Sequence, residues 1–143
     1  MEAAFSVDKY NYSMRLNLAR GFIGLTILWN LQAAFVFLLW PERYTAAFEL
    51  GGAAGAAALR GISVLFLMWN VPYLVALWHP VRHRISLYEA LAMQTIGLLG
   101  EGIIYLTIPV IHAALRISVF RFIVFDALGL GLLLLAAWIT REK

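Results

Sequence analysis

The chain has 143 residues, of which 63% are hydrophobic and only 13% are charged, and its mean hydropathy is +0.83. Because a soluble domain carries roughly 25% charged residues, this composition excludes an ordinary water-soluble domain and predicts a membrane protein. The lack of cysteine excludes disulfides, thiol catalysis, iron–sulfur clusters and covalent c-type haem. The net charge of +3 comes from basic residues at the ends of apolar runs, which is typical of membrane orientation rather than nucleic-acid binding.

Four apolar runs follow one another along the chain, and they cover residues 20–40, 58–78, 87–108 and 122–139. An α-helix needs about 20 residues to cross the roughly 30 Å hydrocarbon core of a bilayer, so each run predicts one membrane-spanning helix. The first run is longer than the apolar region of a signal peptide, and we expect it to be retained as a span. The sequence therefore predicts an all-α, polytopic membrane protein with one domain over residues 1–143, built as an antiparallel bundle of four transmembrane helices.

The ends of the runs carry residues that suit a membrane interface. Trp-Pro-Glu-Arg closes the first run at 40–43, and Trp-His-Pro-Val-Arg-His-Arg closes the second at 78–84. Proline ends a helix, tryptophan favours the headgroup region, and arginine stays in water. The first connector, residues 44–57, is rich in glycine and alanine. It predicts either a helical hairpin turn or a shallow interfacial segment.

Lysine and arginine are unevenly divided between the two sides of the predicted bundle. The side of the two termini collects Lys9, Arg15, Arg20, Arg82, Arg84, Arg141 and Lys143, and the other side collects Arg43, Arg60, Arg116 and Arg121. Cytoplasmic loops carry the excess of basic residues. The distribution therefore predicts a multi-pass protein of the cell's inner membrane with both termini in the cytoplasm.

Two segments forty residues apart resemble each other, RGFIGLTILWN at 20–30 and RGISVLFLMWN at 60–70. Ten helical residues rise about 15 Å, or half the hydrocarbon core, so Asn30 and Asn70 are both expected near the bilayer midplane. An unpaired amide is costly there, and the simplest partner for each asparagine is the other one, with Gln32 or Thr26 as the next choice. The resemblance fits either a duplication or a chance match between two apolar helices.

Polar residues in the third and fourth runs recur at helical spacing. Gln94, Gly97, Glu101 and Tyr105 share one stripe of the third helix, and Asp126 lies in the fourth. Glu101 and Asp126 are expected at similar depth in the outer half of the membrane. They predict either a polar pocket that binds a proton or a cationic group, or structural salt bridges. The salt bridges would join Glu101 to Arg60, and Asp126 to Arg121 or Arg116.

Other motifs do not indicate chemistry. His79 and His83 have the i, i+4 spacing of a helical metal site, but Pro80 interrupts the helix and the flanking arginines repel a cation. All three histidines lie at loops or run edges, which argues against haem. Ser86 followed by Glu89 predicts a capping box at the start of the third helix. We expect no metal, no cofactor and no catalytic set.

Part of the first half resembles small bacterial four-helix membrane proteins of the DoxX-like families and related families of unknown function. The matching stretches are ALRGISVLFLMW at 58–69 and LWPE at 39–42. The resemblance implies a four-span bundle and a role as a small subunit of membrane redox or quinone-linked systems. It assigns no catalytic residue.

The functional expectation is a non-enzymatic bundle that binds a lipophilic molecule or a partner membrane subunit in a polar-lined pocket. The pocket is expected to contain Asn30, Arg60, Asn70, Gln94, Glu101, Tyr105 and Asp126. The alternative is a membrane enzyme or a proton-coupled carrier that uses Glu101 and Asp126. Beyond the lipid bilayer, the expected partners include further copies of the chain, which would meet at Gly97/Gly100 and Gly129/Gly131, and they do not include nucleic acid.

Overall fold

The computed structural model describes residues 2–141, with side chains described from Tyr10 to Arg141. Four α-helices follow one another along the chain: α1 Glu2–Leu39, α2 Gly52–Trp78, α3 Arg84–Thr107 and α4 Ala113–Ile139. Each of them is long and apolar enough to cross a membrane, and the described residues contain no strand. The predicted all-α fold of four transmembrane helices is confirmed, and the chain is a multi-pass membrane protein.

The helices are longer than the apolar runs that predicted them. Helix α1 extends back to Glu2, α2 starts at Gly52 inside the glycine- and alanine-rich connector, and α4 starts at Ala113, nine residues before the fourth run. A helix satisfies its backbone hydrogen bonds internally, so it can continue past the hydrocarbon into the polar ends. Hydrophobicity marks the segment that lies in lipid and not the whole helix.

Sequential helices are neighbours in the bundle and run antiparallel, which gives the molecule two distinct ends. The terminal end contains the α2–α3 turn at 79–83 and the end of α4. The connector end contains the α1–α2 connector at 40–51 and the α3–α4 turn at 108–112. The packing is closest between α1 and α2 and between α3 and α4, and loosest between α2 and α3.

Arginines hold the terminal end together by capping helix carbonyls. The guanidinium of Arg20 on α1 donates to the carbonyl of Trp78 at the end of α2. Arg84 at the start of α3 donates to the carbonyls of Thr140 at 2.9 Å and Ala137 at 3.3 Å. The last carbonyls of a helix have no backbone partner within it, so these three bonds satisfy groups at the ends of α2 and α4.

The interior has two parts of different composition. Toward the terminal end the core is aliphatic and rich in alanine, and it consists of Ala19, Ile23, Ile27, Tyr73, Ala76, Leu87, Ala90, Leu133 and Ala136. Toward the connector end it is aromatic, with Phe37 at ring-centroid distances of 5.3–6.5 Å from Tyr44, Phe48, Phe66 and Phe122. The small alanines let helix backbones approach closely.

The α1–α2 connector folds back over the connector end of the bundle. It forms two 3-10 turns, Pro41–Arg43 and Ala46–Phe48. The hydroxyl of Ser118 on α4 donates to the Ala47 carbonyl at 2.6 Å, and His112 Nδ1 lies 2.5 Å from Glu49 Oε2. The second half of the predicted connector, from Gly52 onward, is already part of α2.

The predicted capping box at Ser86 and Glu89 is wrong. Helix α3 starts at Arg84, three residues before the start that Ser86 as N-cap would give, and its N-cap residue His83 makes no side-chain cap bond. Arg84 is held there by its bonds to the end of α4, so a tertiary contact places the start of this helix.

Candidate functional site

Gln94 occupies the middle of a buried hydrogen-bond network that joins three helices. Its side chain is 4% exposed. Its Nε2 donates to Asp126 Oδ1 on α4 at 2.8 Å and also lies 3.3 Å from the Asp126 backbone oxygen. Its Oε1 accepts from the hydroxyl of Tyr73 on α2 at 2.6 Å. The network therefore links α2 to α3 and α3 to α4 through one amide.

Two glycines allow α3 and α4 to come this close. A Cβ at Gly97 would overlap the Asp126 carboxylate, and a Cβ at Gly129 would lie 2.7 Å from Gln94 Nε2. Gly100 and Gly131, on the same two helices, would meet nothing within 4 Å. Gly97 and Gly129 therefore face the interior of the bundle, whereas Gly100 and Gly131 have open space beside them, and the expected contact between copies of the chain stays a prediction.

A central cavity with a volume of about 30 Å³ lies beside this network. All four helices contribute to its wall. The polar lining residues are Asn30, Tyr73, Gln94, Glu101 and Asp126, and the apolar ones are Trp29, Ala33, Phe66, Trp69, Met93, Phe122 and Phe125. A buried water needs roughly 10–15 Å³ of such space. The cavity therefore has room for about two waters or for one small polar group.

Glu101 brings an unsatisfied acceptor to this cavity. Its Oε2 is buried and has no hydrogen-bond partner among the described residues. A buried acceptor without a partner costs about 1–3 kcal/mol, and more when it is charged. Such a group is expected either to be bonded by a bound molecule or to have a functional reason for being there.

The salt bridges predicted for the two acids are wrong. Arg60 pairs instead with Glu42 at 3.2 Å on the exposed connector end. Arg116 donates to the carbonyls of Tyr105 at 3.2 Å and Ile108 at 2.6 Å, and it lies 4.1 Å from the centre of the Tyr105 ring. Within the described part of the chain, no arginine or lysine forms a salt bridge with either acid.

The predicted hydrogen bond between the two asparagines is also wrong. Asn70 Nδ2 donates at 2.7 Å to the Phe66 carbonyl on its own helix, and its buried Oδ1 has no partner among the described residues. Thr26 likewise bonds within its helix, to Phe22, at 3.1 Å. Polar side chains in a helix can use the carbonyl four residues earlier, which gives the Asn70 Nδ2 and the Thr26 hydroxyl an acceptor without a partner across the interface.

The two acids lie at different depths, contrary to the expectation. Helix α4 starts at Ala113, so Asp126 lies near the middle of its helix and packs on Gly97. Glu101 lies only six residues before the end of α3 at Thr107, one turn nearer the connector end than Gly97. The start of the apolar run at 122 lies nine residues inside α4, which is why Asp126 is deeper than expected.

Of the seven predicted site residues, four line the central cavity: Asn30, Gln94, Glu101 and Asp126. Asn70 is buried outside the cavity wall, whereas Arg60 and Tyr105 belong to the connector end. Tyr73 also lines the cavity, although it was not among the predicted site residues. Its place in the interior could have been predicted from its position three residues after Asn70, which puts both residues on the buried face of α2.

A second cavity of about 110 Å³ lies under the connector. It shares Ala33, Phe122 and Phe125 with the central cavity, and Tyr44, Phe48 and Arg121 lie in its wall. The two spaces are therefore adjacent, with aromatic rings between them.

The described residues contain no group of three or more His, Cys, Asp or Glu side chains placed to hold a metal ion. His79 Nδ1 accepts the backbone N–H of Arg82 at 3.2 Å, which occupies one nitrogen of the histidine pair.

Comparisons with protein-family models, with curated proteins and with solved structures find no match for this chain. The resemblance to DoxX-like proteins stays a prediction.

Proposed function

We propose that this membrane protein binds a lipophilic primary amine and holds its ammonium group in the central cavity, between Glu101 and Asp126. The observation that carries the proposal is the buried, unpartnered Oε2 of Glu101 in a cavity with a second carboxylate and no cationic side chain in its wall. An ammonium group would supply hydrogen-bond donors and positive charge together.

The charge balance of the cavity favours a cation. A charged side chain near the bilayer centre costs at least about 2.5 kcal/mol, and such groups are normally paired with one another or with an opposite charge. Aromatic rings also attract cations through their faces, and Trp29, Trp69 and Phe125 stand in the same wall.

The size of the cavity favours a ligand with a small polar group and an apolar chain that lies outside the cavity. About 30 Å³ accommodates an ammonium group, which is close to the size of a water, but not a bulky quaternary head. Trp69 and Phe125 line the cavity and are 39% and 41% exposed on the lipid-facing surface. They provide an apolar path along which an alkyl chain can lie.

The network supports binding more than proton transfer. Gln94 stands between Tyr73 and Asp126, accepting from one and donating to the other. An amide cannot relay a proton without losing its amide form, so the Gln94 side chain does not connect Tyr73 to Asp126 as a proton path. Its hydrogen bond to Asp126 instead fixes the orientation of that carboxylate. The wall contains no serine, cysteine, histidine or lysine that would act as a nucleophile or base.

The test is the quenching or shift of tryptophan fluorescence when decylamine is added to the protein in lipid nanodiscs, because Trp29 and Trp69 line the cavity. We expect saturable binding to one site, and at least tenfold weaker binding of decanol, which has the same chain without the charge. Glu101→Gln is expected to weaken decylamine binding at least tenfold. Equal affinity for decanol and decylamine would contradict the proposal.

Glu89→Gln is the matched control, because Glu89 is an exposed acid on the same helix and outside the cavity. It removes the same charge and is expected to leave decylamine binding unchanged. If Glu89→Gln and Glu101→Gln weaken binding equally, the amine binds to surface charge and the proposal fails.

A further inference from the structure

We propose a second binding site, for the phosphate group of an anionic phospholipid, at the terminal end of the bundle. A pocket of about 370 Å³ lies there between α1, the α2–α3 turn and the end of α4. Arg15 and Arg141 reach it from opposite ends of the sequence, and Leu16, Val81 and Ile139 form its apolar wall. This site is separate from the central cavity and does not depend on the function proposed for it.

The two pocket arginines have no ionic partner within the described part of the chain. At the same end, Arg20 and Arg84 are already bonded to the carbonyls that close α2 and α4. Among the residues whose side chains are described, Arg15 and Arg141 form no salt bridge and the pocket wall contains no carboxylate. Arginine binds phosphate through paired, charge-assisted hydrogen bonds, and two guanidiniums from different elements can hold one phosphate between them.

The depth of the pocket matches the headgroup region. Arg15 lies five residues before Arg20, about 7.5 Å further along the helix axis, and Arg20 is bonded at the last residue of α2. The headgroup layer extends about 5–8 Å beyond each face of the hydrocarbon core. Arg15 therefore lies at the level of lipid phosphates, with Tyr12 beside it in the pocket wall.

The apolar wall favours a lipid over a free anion. Leu16, Val81 and Ile139 line the same space as the two guanidiniums, so the pocket presents apolar surface to an acyl chain and charge to a phosphate. Basic pockets between transmembrane helices on the cytoplasmic side bind anionic lipid headgroups. The predicted orientation places this end of the bundle on that side.

The test is native mass spectrometry of the intact protein released from maltoside micelles that contain either phosphatidylglycerol or phosphatidylcholine. We expect phosphatidylglycerol to remain bound at lower lipid concentration than phosphatidylcholine. Since each basic residue near a membrane surface contributes a factor of about five to anionic-lipid affinity, Arg15→Gln and Arg141→Gln are each expected to weaken phosphatidylglycerol binding about fivefold or more. Circular dichroism would confirm that both variants are folded.

Arg82→Gln is the matched control, because Arg82 is exposed at the same end and outside the pocket. It should change phosphatidylglycerol affinity less than twofold. Equal losses in all three variants would mean that diffuse surface charge binds the lipid and would overturn the site. Displacement of the lipid by millimolar inorganic phosphate would overturn the assignment to a phospholipid.

Discussion

At the residue scale, Gln94 is the side chain on which the central site depends. It is the only described residue that hydrogen-bonds through its side chain to the side chains of two other helices. Its amide accepts from the Tyr73 hydroxyl and donates to the Asp126 carboxylate. Replacing it removes both bonds and leaves the buried Asp126 carboxylate without this donor, whereas the Tyr73 hydroxyl keeps the Ala90 carbonyl at 3.2 Å as an acceptor.

Gln94→Leu is therefore expected to lower the free energy of unfolding in detergent by about 1–3 kcal/mol, the cost of leaving buried polar groups unpaired. The measurement is denaturant unfolding followed by tryptophan fluorescence. Thr95→Val is the control, because Thr95 bonds only to the Leu91 carbonyl of its own helix at 2.8 Å. An equal loss in the two variants would show that the network contributes no particular stability.

The polar residues of the site could be predicted from the sequence, but their partners could not. An acid or amide inside an apolar run avoids lipid, and this placed Glu101, Gln94 and Asp126 in the interior. The choice of partner is a local competition. Asn70 bonds to a carbonyl of its own helix, and Arg116 bonds to carbonyls at the end of α3. The spacing of polar residues along the sequence does not predict either of these partners.

At the element scale, the close approach of α3 and α4 is what forms the site. Gly97 gives room to the Asp126 carboxylate, and Gly129 gives room to the Gln94 amide. Small residues at such positions let helices pack closely in membranes, where packing and interhelical hydrogen bonds drive association. Each glycine therefore accommodates a polar side chain of the opposite helix.

Gly129→Ala is expected to lower the free energy of unfolding by about 1–3 kcal/mol, the usual cost of overpacking a filled interior. The new methyl group would lie 2.7 Å from Gln94 Nε2 and 3.2 Å from Thr26 Cγ2. Gly131→Ala meets nothing within 4 Å and should be neutral or stabilising by up to about 1 kcal/mol, because alanine favours a helix. Thermal unfolding midpoints of the two variants measure these changes in stability. An unchanged midpoint for Gly129→Ala would contradict the close packing of α3 on α4.

The existence and order of the four helices could be predicted, whereas the starts of α1, α2 and α4 could not. Hydropathy falls at the lipid boundary, but the helical backbone of α4 continues to Ala113 and that of α2 begins at Gly52. This difference shifted the expected depth of Asp126. The fold of the connector depends on its bonds to Ser118 and His112, which lie more than 60 residues away in sequence.

At the scale of the whole molecule, the two ends of the bundle differ in basic charge. Five described arginine side chains belong to the terminal end, those of Arg15, Arg20, Arg82, Arg84 and Arg141, and four belong to the connector end, those of Arg43, Arg60, Arg116 and Arg121. Lys9 and Lys143, which also entered the orientation prediction, lie outside the described side chains. Excess positive charge keeps an end in the cytoplasm.

Single cysteines test this orientation cleanly, because the chain has no cysteine of its own. A membrane-impermeant maleimide added to intact cells should label Ala46→Cys and leave Ser13→Cys and His83→Cys unlabelled until the cells are permeabilised. All three positions are exposed. Labelling of Ser13→Cys or His83→Cys in intact cells would reverse the predicted topology.

The central claim is that Glu101 and Asp126 hold the ammonium group of an amine in a cavity enclosed by all four helices. The most direct measurement is zero-length coupling of decylamine to the protein in nanodiscs with a lipid-soluble carbodiimide, followed by peptide mass spectrometry. We expect the decylamide to form first on Glu101 or Asp126, at amine concentrations that leave the exposed Glu42 and Glu89 unmodified. Adducts on Glu42 and Glu89 with none on Glu101 or Asp126 would contradict it.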